Sequence, residues 1–517
     1  MGNCIPNPLL GSFEAELAKT PQVRLETPGQ VQIMWQTVRP WPLAGIRLFR
    51  KGMPDKVREI WMEHDDELHY YRGYDHWVNL TGLVDGASYE YHLLVRNENG
   101  VVRQLVETPF AFDYPDYHTR VEITGGPFLT NPGTHGMSVV WRTSLPSGAA
   151  VDVRKTGTDA VFRMLRGDSG ILSTHDLSHV VHLTKLEEGT SYDYRPVVFD
   201  SRTGAFLPAG EWRTFTTLSR AKKRFRALYM ADLHGERLKL ATMLERFDAA
   251  SCDFVLYGGD MIWSAMHAPE AENLWEEFIH TSVEHFASTV PMVMVRGNHE
   301  GGGLYADSYA KVFHSPEGNT YHAFRISDCL FVCLDSGDIC PADRDCFPEM
   351  FARQREWLKH VLDSEEARTA RFRIAIVHAP THGMPDGEIN ERMRRYFLDL
   401  LNDSSPERRF QLCLGGHDHR CFRFNAGENF SREEQPRPDE AMKSGVGFHY
   451  TVMLNGGPLG GKWEYTATEL IASEDKVLVT LLDGVTGERI DAIAIDAAGN
   501  VTELAGWQAD EPGSPRR

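Results

Sequence analysis

Long apolar runs are what this chain most plainly lacks. No stretch approaches the about 18 uninterrupted apolar residues that a membrane-spanning helix needs, and the N-terminus has no basic flank followed by an apolar segment. The expectation is a soluble, cytoplasmic chain with no membrane span. Met1-Gly2-Asn3-Cys4 has the look of an acylation signal, but the sixth position, where Ser or Thr is wanted, is Pro6. Cysteine is also scarce, with eight spread over 517 residues. Cys252, Cys329, Cys333 and Cys413 sit in apolar runs, where thiols are buried and inert. Cys340 and Cys346, in a polar loop, are placed for a local disulfide, and the absence of an export signal leaves that pairing open.

Basic charge is in deficit as well. Lys plus Arg is 54 against 73 for Asp plus Glu, a net charge of −19, which repels nucleic acid and anionic lipid over most of the surface. No nucleic-acid-binding surface is expected, and the basic run Arg220-Ala221-Lys222-Lys223-Arg224 reads as a solvated linker. An acidic chain still acts on a phosphate ester where bound cations reverse the field locally. With 42% hydrophobic and 25% charged residues, the composition is globular and excludes collagen, coiled coil and wholesale disorder. The length suggests three or four domains.

The first 220 residues repeat themselves. Val31-Gln32-Ile33-Met34-Trp35-Gln36-Thr37 returns as Met137-Ser138-Val139-Val140-Trp141-Arg142-Thr143, and the segment from Asn79 through Tyr89 and Tyr91 returns from His182 through Tyr192 and Tyr194. Two modules of roughly 100 residues therefore follow one another. Each carries short alternating strands, a buried-type Trp on an early strand and a Leu-x-x-Gly-x-x-Tyr-x-Tyr turn, which fits an antiparallel β-sandwich. The pattern resembles the fibronectin type III-like module. Such sandwiches mostly space, dock or roof a neighbouring domain.

Beyond the basic run the texture changes. Arg226 to Met230, Phe254 to Tyr257, Met292 to Val295, Phe372 to Val377 and Phe410 to Leu414 read as short strands. Leu240, Met243, Leu244 and Phe247, then Trp275, Phe278, Ile279 and Phe286, and later Met393, Tyr396, Phe397, Leu400 and Leu401, recur at helical spacing. This alternation predicts an α/β layered domain. Lys476 to Leu482 and Arg489 to Ile495, joined by a Gly-containing turn, predict a closing hairpin.

Each of the five strands runs into metal-type ligands: Asp232 and His234 after the first, Asp260 after the second, Asn298, His299 and Glu300 after the third, His378 and His382 after the fourth, and His417, Asp418 and His419 after the fifth. In open α/β sheets the carboxyl ends of the strands line one crevice, so these loops converge. A lone Asp-x-His is a capping carboxylate or a core histidine as readily as a ligand pair, but five such clusters in order form a joint signal. Gly258, Gly259, Gly297, Gly415 and Gly416 let the backbone turn close to a cation.

This set resembles the calcineurin-like metallophosphoesterase superfamily, with its Asp-x-His, Gly-Asp, Gly-Asn-His-Glu, distal His and Gly-His-x-His motifs, over roughly 225 to 422. The resemblance implies that Asp232, His234 and His419 hold one metal ion, that Asn298, His378 and His417 hold another, and that Asp260 bridges both. It implies that His299 is catalytic. The preceding sandwich and Gln354-x-x-Trp357-Leu358 resemble the purple acid phosphatase branch. That branch has Gly in the place of His234 and a Tyr ligand where this chain has Trp263, so the tyrosinate-to-iron charge transfer is expected to be missing. Asp260 is followed by Met261-Ile262-Trp263, unlike the Asp-Arg-Gly of the protein phosphatase branch.

The whole is then expected to be multidomain: fibronectin type III-like β-sandwiches over 1–115 and 116–220, then an α/β (αββα sandwich) metallophosphoesterase domain over 221–510 that includes the C-terminal strands. The expected cofactors are two metal ions, and mixed O and N donors without thiolate suit Mn, Fe or Zn. The expected reaction is in-line attack of a metal-bridging hydroxide on a phosphate ester, with His299 as proton donor to the leaving group. Glu300 is expected to buttress His299 or the backbone, and Asp418 to turn away. His382, Arg420, Trp263 and Tyr305, with His322 and Phe422, are candidate substrate-lining residues. A phosphomonoesterase is the leading reading, with a phosphodiesterase second. A binding or adhesion protein with a relic metal domain is the non-enzyme alternative.

Overall fold

The computed structural model describes residues 16–27, 30–62, 73–97, 99–116, 121–166, 172–200, 204–265, 272–302, 305–337, 348–381, 388–427, 448–458 and 463–505. The acylation-like N-terminus, Cys340, Cys346 and His382 lie outside the described residues. The chain divides into two compact units, one spanning Met1–Arg120 with Asp200–Ala205, the other Val121–Phe199 with Phe206–Arg517.

The first unit contains β1 (Leu17–Thr27), β2 (Gln30–Thr37), β3 (Leu43–Arg50), β4 (Met53–Trp61), β5 (Asp75–Leu80), β6 (Ser88–Arg96), β7 (Val102–Gln104) and β8 (Phe110–Asp113). They form one sheet in the order β1-β2-β5 and another in the order β4-β3-β6-β7, with β8 also pairing β6. Successive strand residues face opposite sides. Val31, Ile33 and Trp35 of β2 therefore meet Ile46 and Leu48 of β3 and Tyr91 and Leu93 of β6 in one core.

The second unit opens with β9 (Ile123–Thr130), β10 (Met137–Lys155), β11 (Phe162–Leu165), β12 (Asp176–Leu183), β13 (Ser191–Asp200), β14 (Ala205–Pro208) and β15 (Arg213–Thr216). Strand β10 serves two sheets: its first half pairs β9 and β12, its second half β11 and β13. The repeat extends further than its sequence signature. Trp35 lies opposite His76 and Trp141 opposite His179, with ring centroids 5.5 and 5.3 Å apart. Thr37 and Thr143 place their hydroxyls 2.9 and 3.0 Å from the respective histidine Nε2.

This second sandwich packs against a helical layer. Phe128, Val140 and Val180 share an apolar cluster with Trp275, Phe278 and Phe313, and the Phe128 ring centroid lies 5.5 Å from that of Phe313. The Tyr194 hydroxyl donates to the Ser288 carbonyl at 2.7 Å, and Asn131 Nδ2 to the His314 carbonyl at 2.7 Å.

The rest of the unit contains β16 (Phe225–Met230), β17 (Phe254–Tyr257), β18 (Met292–Met294), β19 (His322–Ile326), β20 (Cys329–Leu334), β21 (Phe372–Val377), β22 (Leu412–Gly415), β23 (Phe422–Phe424), β24 (Thr451–Leu454), β25 (Thr466–Ala472), β26 (Lys476–Asp483), β27 (Arg489–Asp496) and β28 (Val501–Ala505). One sheet runs β18-β17-β16-β25-β26-β27-β28 and the other β19-β20-β21-β22-β24-β23. Strands β16, β17 and β18 are parallel, as are β20, β21, β22 and β24, and parallel strands covered on both faces read as unbroken apolar runs. The facing sheets bury Phe225, Leu256, Phe331, Ile374, Leu414 and Val479 between them. The helices Pro348–Asp363 and Glu388–Leu401 cover the outer face of the second sheet. Helix Arg237–Arg246 and the helical stretch from Leu274 to Ala287 cover that of the first. The layers are therefore helix, sheet, sheet, helix. Cysteines 252, 329, 333, 413 and 421 are buried.

Candidate metal centre

The five expected strands form, and their carboxyl ends converge. Asp232, His234, Asp260 and His419 bring one ligand atom each within 4.8 Å of one another, and so do Asp260, His378 and His417, so Asp260 belongs to both groups. Asn298 Oδ1 lies 3.1 Å from His378 Nε2, which puts it beside the second group.

The backbone is bent to achieve this. Asp232, His234, Asp260, His417 and His419 all have φ between 46° and 74°, a region that costs a non-glycine residue energy and that clusters at functional sites. The loops are tied to each other: the His234 amide donates to the Asp260 carbonyl at 2.9 Å, the His299 amide to Asp260 Oδ1 at 2.9 Å, and the His417 amide to Asp232 Oδ1 at 3.0 Å. Two glycines are obligatory by contact. A Cβ on Gly297 would sit 2.1 Å from Asp260 Oδ1, and one on Gly416 would sit 2.1 Å from Asp232 Oδ2.

Asp232 and Asp260 are fully buried, yet among the described residues neither has a Lys or Arg ion-pair partner. Uncompensated buried carboxylates are costly, and bound cations are the remedy that this donor set fits. The imidazoles agree. His234 Nε2 and His419 Nε2 face each other at 3.0 Å. Burial pushes His234 and His417 down to about 3 and lowers His419, which keeps them in the neutral form that ligates metal. Burial raises Asp232 to about 8, with Asp260 adding to the rise. Burial also acts upward on Asp260, but His378 outweighs it and holds that carboxyl below the usual range. Burial disfavours the charged form of His378, and Asp260, with Nε2 and Oδ2 3.1 Å apart, carries it up to about 10. Its Nδ1 donates to the Gly258 carbonyl at 2.8 Å, leaving Nε2 for the cluster.

His299 points at the cluster, with Nε2 3.8 Å from Asp260 Oδ2 and Nδ1 bonded to the Trp263 carbonyl. The Trp263 indole packs on His234 with ring centroids 4.7 Å apart. Tyr305 is tied to the same loop by its amide, which donates to the Ala265 carbonyl at 3.0 Å. Arg420 directly follows His419 and is half-buried. His322 is not brought in: it sits on β19 opposite Cys333, joins neither donor group, and burial pushes it down to about 4. Phe422 opens β23.

Glu300 turns to the backbone. Its carboxylate accepts from the amides of Asp260, Met261 and Gly297 at 2.9, 2.7 and 2.9 Å, and from Ile262 at 3.3 Å. Burial and then the charge of Asp260 push its pKa up, and the amide donors pull against them. Two further supports were not foreseen. Asp335, at the end of β20, accepts from Arg296 Nε at 2.9 Å and Nη2 at 3.0 Å, and Gln354 closes on Asp335's backbone amide and carbonyl at 2.8 and 2.9 Å. The Gln354-x-x-Trp357-Leu358 pattern pointed at this helix without disclosing its partner.

The layered fold and the two donor groups sharing an aspartate define a metallophosphoesterase-type domain. Residues 225–421 match the family described as "Calcineurin-like phosphoesterase". Residues 225–421 therefore carry a calcineurin-like phosphoesterase domain. The chain is similar to "Probable purple acid phosphatase 20" of Arabidopsis thaliana, 25% identical over 231 residues that make up 42% of this chain and 48% of that protein. It is also similar to "Serine/threonine-protein phosphatase CPPED1" of Bos taurus, 24% identical over 34% of this chain and 55% of that protein. The chain thus spans about half the length of the curated relatives it matches. Among solved structures, a purple acid phosphatase from yellow lupin (Lupinus luteus) seeds superposes with a TM-score of 0.53 at 14% identity, covering 94% of this chain and 96% of that one. That likeness is one of fold.

Proposed function

We propose that this chain is a dinuclear metal-dependent phosphoesterase that hydrolyses phosphate monoesters. The observation that carries the reading is the pair of donor groups joined at Asp260. Asp232, His234 and His419 would hold one cation, Asn298, His378 and His417 the other, with Asp260 shared by the two donor groups. Bound Mn, Fe or Zn supplies the positive field that lowers the pKa of a water and neutralises the phosphate oxygens. That field answers the chain's charge of −19.

The protein's own part is placement and proton control. With Nδ1 committed to the Trp263 carbonyl, His299 presents Nε2 on the side of Asp260, where it gives a proton to the departing ester oxygen. Glu300 and Asp335 hold the loops that carry Asp260, Asn298 and His299. Because Trp263 stands where the purple branch has its tyrosine ligand, an iron-loaded site is without the tyrosinate charge-transfer band. In this reading the N-terminal sandwiches, over 1–115 and 116–220, are fibronectin type III-like supports for a catalytic domain over 221–510. The full set of ligand positions argues against a relic domain that only binds.

The test is hydrolysis of 4-nitrophenyl phosphate and bis(4-nitrophenyl) phosphate by the Mn²⁺-loaded protein, with Asp260→Asn and His299→Ala. Faster turnover of the monoester, lost by about 100-fold or more in both variants, is the expected result. Preference for the diester replaces the monoesterase with a phosphodiesterase. No metal-dependent turnover of either overturns the reading.

A further inference from the structure

Trp263 is out of place for a packing residue. It is 53% exposed, more than any other large aromatic among the described residues, although it stands beside a fully buried cluster. Its ring centroid lies 4.7 Å from that of His234 and 6.1 Å from that of His299. The indole is therefore packed beside two imidazoles of the cluster and still half exposed. Tyr305, 41% exposed, sits on the segment hydrogen-bonded to Ala265, two residues along.

We propose that Trp263 is the specificity-determining residue of this site, a platform on which a planar aromatic leaving group stacks. The inference rests on the phosphoesterase reading and names its substrate class: phosphate esters with an aromatic ring next to the ester oxygen. The argument is one of position. The phosphoryl group belongs at the two donor groups, and the leaving oxygen faces His299 Nε2, so the group attached to that oxygen emerges beside the residue that orients His299. That residue presents an exposed indole. An aromatic ring there gains offset or edge-to-face contact, which an alkyl chain does not match. The bond that orients His299 comes from the Trp263 carbonyl, so exchanging the side chain removes the platform without removing that acceptor.

The experiment uses non-hydrolysable probes as well as turnover. Calorimetry on the Mn²⁺-loaded protein compares phenylphosphonate with methylphosphonate, for wild type, Trp263→Phe and Trp263→Ala. The expected result is about tenfold tighter binding of the phenyl compound by wild type, a ratio mostly kept by Trp263→Phe and falling toward one in Trp263→Ala. In parallel, Trp263→Ala raises KM for 4-nitrophenyl phosphate more than for glycerol phosphate. Equal affinity of wild type for the two phosphonates, or an unchanged ratio in Trp263→Ala, overturns the inference while leaving the phosphoesterase reading intact. A selective phenyl site without turnover of any ester overturns the reading and leaves the platform standing.

Discussion

Glu300 shows how much of a metal site is made by a residue that touches no metal. Four amides from two loops converge on its two oxygens, so it fixes the path of the chain through Asp260 and Gly297 together. Glu300→Gln keeps the shape but turns one oxygen into a donor facing donors. The expected cost is about 2–4 kcal/mol, read as a lower denaturation midpoint of the metal-free protein, together with weaker Mn²⁺ binding. Gly297→Ala is a sharper case, because the added carbon would lie 2.1 Å from Asp260 Oδ1. It should abolish stoichiometric metal uptake, checked by metal analysis after gel filtration. The candidate donors were legible because Asp, Asn and His follow five strands in order, and the structure brings them together. The close approach that makes Gly297 compulsory was legible only in outline, since a glycine in sequence does not say which atom would strike its missing carbon.

At the scale of elements, strand order follows from apolar runs, and what escaped is what those runs do not mark. Strand β20 is as apolar as its neighbours but ends in Asp335, with no histidine after it, so it carried no ligand signature. Its work is indirect, since Asp335 pairs with Arg296, two residues before Asn298. Asp335→Ala takes the carboxylate away from a buried guanidinium, and a loss of about 3 kcal/mol is expected, with Arg296 and Asp335 non-additive in a double-mutant cycle. The paired sandwiches supply a pH prediction. Burial pushes His76 and His179 from 6.5 down to about 4, so the folded protein refuses protons that the unfolded chain takes up. Stability is therefore full above about pH 6.5 and falls as the pH drops toward 4, each histidine costing about 2 kcal/mol by pH 5. Unfolding midpoints measured from pH 7.5 to 5 should fall, and His179→Gln should flatten the decline. The Trp-His-Thr grouping was only half readable, because the two histidines lie just upstream of the segments whose likeness is visible.

For the molecule as a whole, the sequence suggested two successive modules ahead of a catalytic domain, and the second of them packs on that domain. Phe128, Val140 and Val180 are buried with Trp275, Phe278 and Phe313. A chain beginning at Val121 is expected to bind metal as the full chain does. One beginning at Arg220 uncovers this apolar layer and is expected to aggregate or lose about 1.5–3 kcal/mol for each large side chain exposed, as followed by light scattering and thermal unfolding. The charge pattern that counted against a nucleic-acid surface said nothing of this, since docking is decided by a handful of side chains on one sheet face.

Those side chains have counterparts. By strand register, Phe128 lies opposite Val140 and Val140 opposite Val180, while in the first sandwich Gln22 lies opposite Met34 and Met34 opposite Trp77. The same three places thus hold an apolar set in one copy and a mixed, partly exposed set in the other. The Trp-His-Thr core is common to both copies while the outward-facing positions are not, and in the second copy those positions pack on the helical layer. A module's interior answers only to itself, so it can be copied unchanged, whereas its outer face must be written anew for whatever lies against it.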